Sequence, residues 1–284
     1  MTAALRVGLI GSGIQQSRTP AMHMAEAAAQ GLTLRYDLLD TDLMAEADRD
    51  FAAILARAEA EGYAGVNVTY PYKQAALDHL DSASDAVWAV GATNTIVFQD
   101  GKRIGHNTDY WGFAENLRQG LADAPRALVL MLGAGGAGGA VAHALLDNGV
   151  GHLAVCDVRA EAAKALVTNL QTRHGTDRAS VAMDGAAAAP GVDGVVNASP
   201  VGMAKLPGTP VPTALLHPGQ WVADVVYFPL ETQFLAEARA LGCRSLDGSG
   251  MALFQAVRAF ELFTGRTADP ARMRATFDSF NDPG

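Results

Sequence analysis

Residues 127–132 (Ala-Leu-Val-Leu-Met-Leu) run directly into Gly133-Ala134-Gly135-Gly136-Ala137-Gly138, and this junction restricts the fold more than any other segment. A run that short and that apolar reads as a strand buried on both faces, as in a parallel sheet. Glycines at 133, 135 and 138 fit G-x-G-x-x-G, a motif that needs a strand before it and a helix after it. The Ala/Leu-rich stretch to about Asn148 supplies the helix. In that setting Gly133 permits a tight turn, Gly135 lets the backbone approach a pyrophosphate, and Gly138 allows close helix–strand packing. Gly136 and Ala137 complete a loop whose helix N-terminus faces the phosphates with unpaired N–H groups. The competing reading is a packing turn without a ligand.

Asp157 lies nineteen residues past Gly138, after the strand expected at 152–156. A carboxylate there accepts hydrogen bonds from the adenosine ribose and repels a 2′-phosphate, so the spacing favours NAD over NADP. Arg159 argues the other way, because a guanidinium receives phosphate well. Asp157 is also a candidate N-cap for the helix that follows.

Strands and helices alternate on both sides of this motif, which predicts an α/β protein with two parallel or mostly parallel sheets. In the first half the pattern predicts strands at 5–10, 34–39 and 64–69. Helices are expected at 20–29, 45–60 and 72–80, then a hairpin over 94–105 and a helix over 111–121. In the second half helices are expected to about 148 and over 161–173 and 232–241. Strands are expected at 152–156, 181–182, 194–197, 221–226 and 243–246, with residues 185–191 as a loop or frayed helix. Helices over 249–263 and 270–280 close the chain. The expected organisation is an N-terminal α/β substrate domain (1–111) with a mixed, mostly parallel sheet and a Rossmann-type dinucleotide-binding domain (112–248). The helices of 249–284 return to the first.

Composition removes several alternatives. The 284 residues carry a formal net charge of −9, and no Lys/Arg cluster stands out. That excludes the basic face of a nucleic-acid binder and offers little to an anionic membrane. The first thirteen residues hold only a short apolar run broken by glycines, too short for a signal-peptide core or a membrane span, so a cytoplasmic location is expected. Cys156 and Cys243 lie far apart in apolar stretches and read as buried free thiols of a reducing compartment. The seven histidines are scattered without metal-ligand spacing, and no metal is expected.

The first half has no second dinucleotide motif and is expected to hold the other reactant. Its polar words fall at predicted strand ends: Ser17-Arg18-Thr19, Asn67-Val68-Thr69, Lys73, Gly91-Ala92-Thr93-Asn94-Thr95 and Asn107-Thr108-Asp109. Together they offer hydroxyl, amide, ammonium and carboxylate groups, which suits a small polyhydroxylated acid. Each has a plainer reading. Lys73 is a solvated lysine, Asp109, Ser17 and Thr19 are helix caps, and Asn67 and Asn94 are loop braces. Gln255 is an exposed helix residue and Tyr227 a turn aromatic.

With Asn197-Ala198-Ser199-Pro200-x-Gly202-Met203, Asp224-Val225-Val226-Tyr227 and Gly248-x-Gly250-Met251-x-x-x-Gln255 added, these words in this order resemble the shikimate dehydrogenase family along nearly the whole chain. The resemblance implies that Lys73 and Asp109 are the catalytic pair, and that Ser17 and Thr19 hold a substrate carboxylate. It implies that Thr69, Asn94, Asp109 and Gln255 bind ring hydroxyls. Tyr227, Gly248 and Met251 are implied where nicotinamide meets substrate, with Ser199 and Val226 also along the cofactor. Two departures, Thr19 in place of a serine and Cys156-Asp157-Val158-Arg159 in place of Asn-Arg-Thr, resemble the NAD-using quinate/shikimate dehydrogenase subgroup.

The implied activity interconverts shikimate and 3-dehydroshikimate, quinate and 3-dehydroquinate, or both. The protein is expected to be a monomer or homodimer whose only partners are small molecules. Two roles stay open for Lys73: transferring the hydroxyl proton while Asp109 orients it, or stabilising the developing alkoxide while water carries the proton away. Two other functions compete: a family member acting on an amino-substituted ring, and a catalytically silent nucleotide-binding regulator.

Overall fold

The structure is a computed structural model that describes residues 4–280. The chain forms two compact units. One takes the residues up to Thr108 and those from Leu253 onward; the other is Asp109–Ala252.

In the first unit the described strands are β1 (Leu5–Gly11), β2 (Leu34–Asp40), β3 (Gly65–Val68), β4 (Ser82–Ala83), β5 (Thr95–Gln99) and β6 (Lys102–His106), in the order β2-β1-β3-β5-β6-β4. β1 pairs in parallel with β2 and β3, while β5 runs antiparallel to both β3 and β6, so the sheet is mixed. Helices α1 (Thr19–Ala29), α2 (Phe51–Ala60) and α3 (Asp85–Val90) come from the same stretch. Ile10, Val66, Val68 and Ile96 from the sheet pack with Phe51, Ile54 and Leu55 of α2 in one core.

The second unit opens in α4 (Thr108–Gly120) and continues through β7 (Leu128–Leu132), α5 (Gly138–Asp147), β8 (His152–Cys156), α6 (Ala160–His174), β9 (Ala179–Val181), α7 (Gly185–Ala188), β10 (Gly194–Asn197), β11 (Trp221–Asp224), α8 (Gln233–Ala240) and β12 (Arg244–Leu246). Its sheet is parallel throughout, ordered β12-β11-β10-β7-β8-β9. Because strand side chains alternate, β7 feeds two cores. Val129 and Met131 face the cluster that holds Val141 and Leu145 of α5, and Leu130 and Leu132 face the one that holds Phe234 and Leu235 of α8. Two helices, α9 (Gly248–Thr264) and α10 (Pro270–Asp278), end the described chain.

Three expected helices differ, each for a local reason. The helix expected over 72–80 is a short 3₁₀ turn at Ala75–His79. The Lys73 carbonyl, which an α-helix would use on Leu77, instead accepts the Thr93 N–H at 2.9 Å, and Leu77 bonds Gln74. The helix expected over 45–60 breaks into a 3₁₀ turn (Glu46–Asp48) and α2, because Asp50 adopts an extended conformation and caps Ala53 with its carboxylate. The helix expected from 111 starts at Thr108, whose N–H is taken by the Asn94 side-chain oxygen at 2.7 Å. Asp109 is therefore inside the first turn rather than its cap. α3, with an extended Ser84 before it and a left-handed Gly91 after it, was not anticipated. Cys243 is buried as expected, whereas Cys156 is only half-buried.

Candidate active site

In the first unit the polar words are drawn together by the turn of β1, the end of β3 and the start of β5. After β1, the Asp40 carboxylate holds the loop that carries Ser17. It accepts from the N–H groups of Gly13 (3.0 Å) and Ile14 (3.1 Å) and from the Gln15 amide (2.8 Å). Burial raises the Asp40 carboxyl, but these donors and the Asp42 N–H outweigh it and hold it below the usual carboxylate range. Ser17 and Thr19 are half-buried where α1 begins; the Ser17 hydroxyl accepts the N–H of Thr19, the first helical residue, at 3.4 Å, while Arg18 occupies the cap position without a side-chain bond.

Gly11 ends β1 directly against Thr69, whose methyl group would collide with any β-carbon there. Thr69 is fixed in turn by its N–H bond to Ile10 (2.9 Å). Lys73 follows the cis Tyr70–Pro71 bond and is tied through its carbonyl to Thr93. Asn94 bonds Val68 through its carbonyl (2.8 Å) and His106 through its N–H (3.2 Å). Its side chain accepts from Thr108, and Asn107 donates its amide to Ala92 (2.9 Å). Thr108 is thus bonded to Asn94 itself, and Thr69 and Lys73 are held near it through the adjacent Val68–Asn94 and Lys73–Thr93 main-chain bonds. Asp109, next in the chain, is 6 % exposed, and Gln255 is half-buried on α9. A threonine, an amide and an amine gathered around β3 and β5 can orient hydroxyl groups and exchange a proton.

In the second unit the glycine loop separates protein needs from ligand needs. Gly133 has φ +108°, and a β-carbon there would meet the Ala198 carbonyl at 2.7 Å; one on Gly138 would meet the Gly133 oxygen at 2.5 Å. Both positions require glycine for the fold itself. Gly135 and Gly136 are different: a β-carbon on either meets nothing within 4 Å. Their glycines leave bare backbone before α5, whose cap residue Ala137 offers no side-chain acceptor to the helix N-terminus. That arrangement fits the pyrophosphate of a dinucleotide.

Asp157 follows β8 with its side chain 9 % exposed. One carboxylate oxygen accepts the Ala134 N–H (2.7 Å), the other the Arg159 N–H (2.8 Å). It therefore braces the glycine loop rather than capping α6, whose cap residue is Arg159. The Arg159 guanidinium, 71 % exposed, stands 3.7 Å from the same carboxylate.

Ser199 and Val226 are set by residues to which the sequence reading gave no role. Asn197 accepts from the Ser199 N–H (3.1 Å) and hydroxyl (2.6 Å) and donates to Val201 (2.8 Å) and Asp224 (2.9 Å). Asp224 also accepts from the Val226 N–H (2.9 Å) and the Thr232 hydroxyl (2.7 Å). Burial pushes its carboxyl up to about 6 against those hydrogen bonds. A polar residue ending each of two adjacent parallel strands is the signal that could have found this pair. Gly248 is required because a β-carbon would meet the Val225 and Val226 carbonyls at 2.6 Å. Met251 is buried in the unit's core, and Tyr227 is partly exposed beside Phe228. Among the described residues no group of three potential metal ligands occurs, and no helix is long and apolar enough to cross a membrane.

A Rossmann-type sheet with a dinucleotide loop, paired with a separate unit rich in hydroxyl-orienting groups, defines a pyridine-nucleotide-dependent dehydrogenase. Residues 9–96 match the shikimate dehydrogenase substrate binding domain, and residues 248–276 match the shikimate 5'-dehydrogenase C-terminal domain. A shikimate dehydrogenase (NADP(+)) of Streptomyces avermitilis is 51% identical over 95% of this chain and 93% of its own. A quinate/shikimate dehydrogenase (NAD(+)) of Corynebacterium efficiens is 48% identical over 96% and 98%. The solved quinate dehydrogenase of Corynebacterium glutamicum in complex with NAD superposes with a TM-score of 0.94 at 44% identity, covering 97% of this chain and 99% of that one. The chain belongs to the shikimate dehydrogenase family.

Proposed function

We propose that this protein is an NAD-dependent dehydrogenase that oxidises shikimate, quinate or both at a ring carbinol, with Lys73 and Asp109 as its catalytic pair. The reading of NAD rests on Asp157. Its carboxylate is locked at the end of β8 by two main-chain N–H groups, so it cannot swing aside for a 2′-phosphate, and a second negative charge brought beside it would be repelled. Arg159 favours NADP, but its guanidinium already lies toward Asp157. The relatives divide on this point, the NADP-dependent one at 51% identity and the NAD-dependent one at 48%.

When bound, NAD supplies the hydride acceptor. The chain's residues then have separate tasks. Ser17 and Thr19 hold the ring carboxylate; Thr69, Asn94 and Gln255 orient the hydroxyls. Lys73 takes the carbinol proton as the C–H hydride departs, and Asp109 holds that hydroxyl in line. A positioned base of this kind contributes about 10²–10⁴-fold in rate. Gly133 through Gly138 hold the pyrophosphate; Asp157 holds the adenosine ribose, with Arg159 at its rim. Ser199, Val226, Tyr227, Gly248 and Met251 line the nicotinamide end.

Initial-rate kinetics with each acid and each cofactor test this reading. It predicts turnover of at least one acid, with kcat/KM for NAD roughly tenfold or more above that for NADP. Equal efficiency with the two nucleotides overturns the NAD assignment, and no turnover of either acid overturns the substrate assignment.

A further inference from the structure

We infer that Thr95, a residue sealed from solvent, is a positioning residue that steadies the Asn94 amide in the one orientation that turns its NH₂ toward the substrate; the inference rests on the substrate-binding role proposed above for Asn94. Thr95 is 0% exposed, so it acts only through its neighbours.

Five side chains form one hydrogen-bonded line: Tyr36, Asn67, Thr95, Asn94 and Thr108. Two main-chain groups fix the direction of its two amides. The Thr108 N–H can only donate, and it lies 2.7 Å from the Asn94 side-chain oxygen, so the Asn94 NH₂ must point the opposite way. The Asn94 carbonyl can only accept, and it lies 3.3 Å from Asn67 Nδ2. Asn67 therefore turns its NH₂ toward β5 and its oxygen toward the Tyr36 hydroxyl, which donates at 2.8 Å.

The same Asn67 NH₂ donates to Thr95 Oγ1 at 2.9 Å. With that oxygen accepting, the Thr95 proton has two acceptors in reach, Asn94 Oδ1 at 3.2 Å and Thr108 Oγ1 at 3.3 Å, and Thr108 Oγ1 itself lies 3.1 Å from Asn94 Oδ1. Asn94 Oδ1 thus receives the Thr108 N–H and at least one of the two hydroxyl protons, and is committed to the protein. Asn94 Nδ2 has no partner among the described residues and is not sealed from solvent, which leaves both its protons for an oxygen of the bound acid. A flipped amide would present an oxygen to a substrate hydroxyl and set its NH₂ against the Thr108 N–H, donor against donor. Thr95 guards against that flip by holding Asn94 at one end and Asn67 at the other.

The test is steady-state kinetics on Thr95→Val, which keeps the shape and removes the hydroxyl, with Thr95→Ser, Asn94→Ala and the double variant N94A/T95V. Thr95→Val is expected to lower kcat/KM for the acid roughly fivefold to tenfold, the loss of about one hydrogen bond, with KM for NAD unchanged. Thr95→Ser restores most of the loss. In the Asn94→Ala background Thr95→Val adds nothing further, because its partner is gone. Tyr36→Phe, two links beyond Thr95 on the line, serves if Thr95→Val does not fold, and is expected to show a smaller loss that also vanishes with Asn94→Ala. Wild-type efficiency in Thr95→Val, or a loss that adds in full to that of Asn94→Ala, overturns the positioning role. Wild-type efficiency in Asn94→Ala overturns the substrate role of Asn94 beneath it.

Discussion

The two units secure their sites by different means. The second shapes its loop with backbone: Gly133 at positive φ against Ala198, and Gly138 against the Gly133 carbonyl, leave the chain one path before α5. The first shapes its site with side chains, from the Asp40 carboxylate that gathers the Ser17 loop to the directed line from Tyr36 to Thr108. A site made of backbone tolerates changes of neighbouring side chains but no β-carbon. A site made of side-chain hydrogen bonds has the reverse sensitivity, because each bond is worth only about 0.5–1.5 kcal/mol net but loses direction when one partner goes.

The largest effect expected from substitution falls on the side-chain site. Lys73→Ala is predicted to lower kcat by about 10²–10⁴-fold with a modest change in KM for the acid, measured by initial rates. A variant with near-normal kcat removes Lys73 from the chemistry. Next is the backbone site: Gly133→Ala combines a left-handed φ with overlap on Ala198 and is predicted to cost about 2–4 kcal/mol of stability in urea denaturation. A Tm and midpoint like wild type would mean that the loop is not the rigid element described.

Asp224 sharpens the comparison, because here the second unit does depend on a side chain. Its folded carboxyl, raised to about 6, binds a proton more tightly than an unfolded aspartate. Its stabilising contribution is therefore fully present below about pH 4 and lost as pH rises through about 6, a change of about 2–3 kcal/mol. Asp224→Asn should gain on the wild type as pH rises from about 4 to 7 in a series of melts; a constant difference contradicts the assignment. The smallest effect is at Asp157. Asp157→Ala is predicted to lower the NAD/NADP ratio of kcat/KM roughly fivefold to tenfold, about 1 kcal/mol of like-charge repulsion removed. An unchanged ratio shifts cofactor choice to another residue.

The same contrast explains what was legible in the sequence. Gly133, Gly135 and Gly138 carry meaning in their spacing alone, since no other residue does their work, and the strand before them and the helix after them stand where expected. Asp157 could be located by distance along the chain, but not its second task of bracing Ala134. In the first unit nothing about Asn94 or Thr108 announces that one takes the first N–H of the other's helix. Such bonds span residues far apart in sequence, and they moved the start of α4 and dissolved the helix expected after Tyr72. Thr95, Asn197 and Asp224 each bond a site residue one or two places along the chain, but what holds them there spans the fold: Asn67 holds Thr95, and Asn197 and Asp224 hold each other.

Titration of NAD into Gly135→Ala beside the wild type, with Tm recorded for both, tests most directly whether bare backbone at this loop serves a dinucleotide. A β-carbon at Gly135 touches nothing in the protein, so an unchanged Tm is expected together with a Kd weakened roughly tenfold or more. A Kd equal to that of the wild type would place the nucleotide elsewhere.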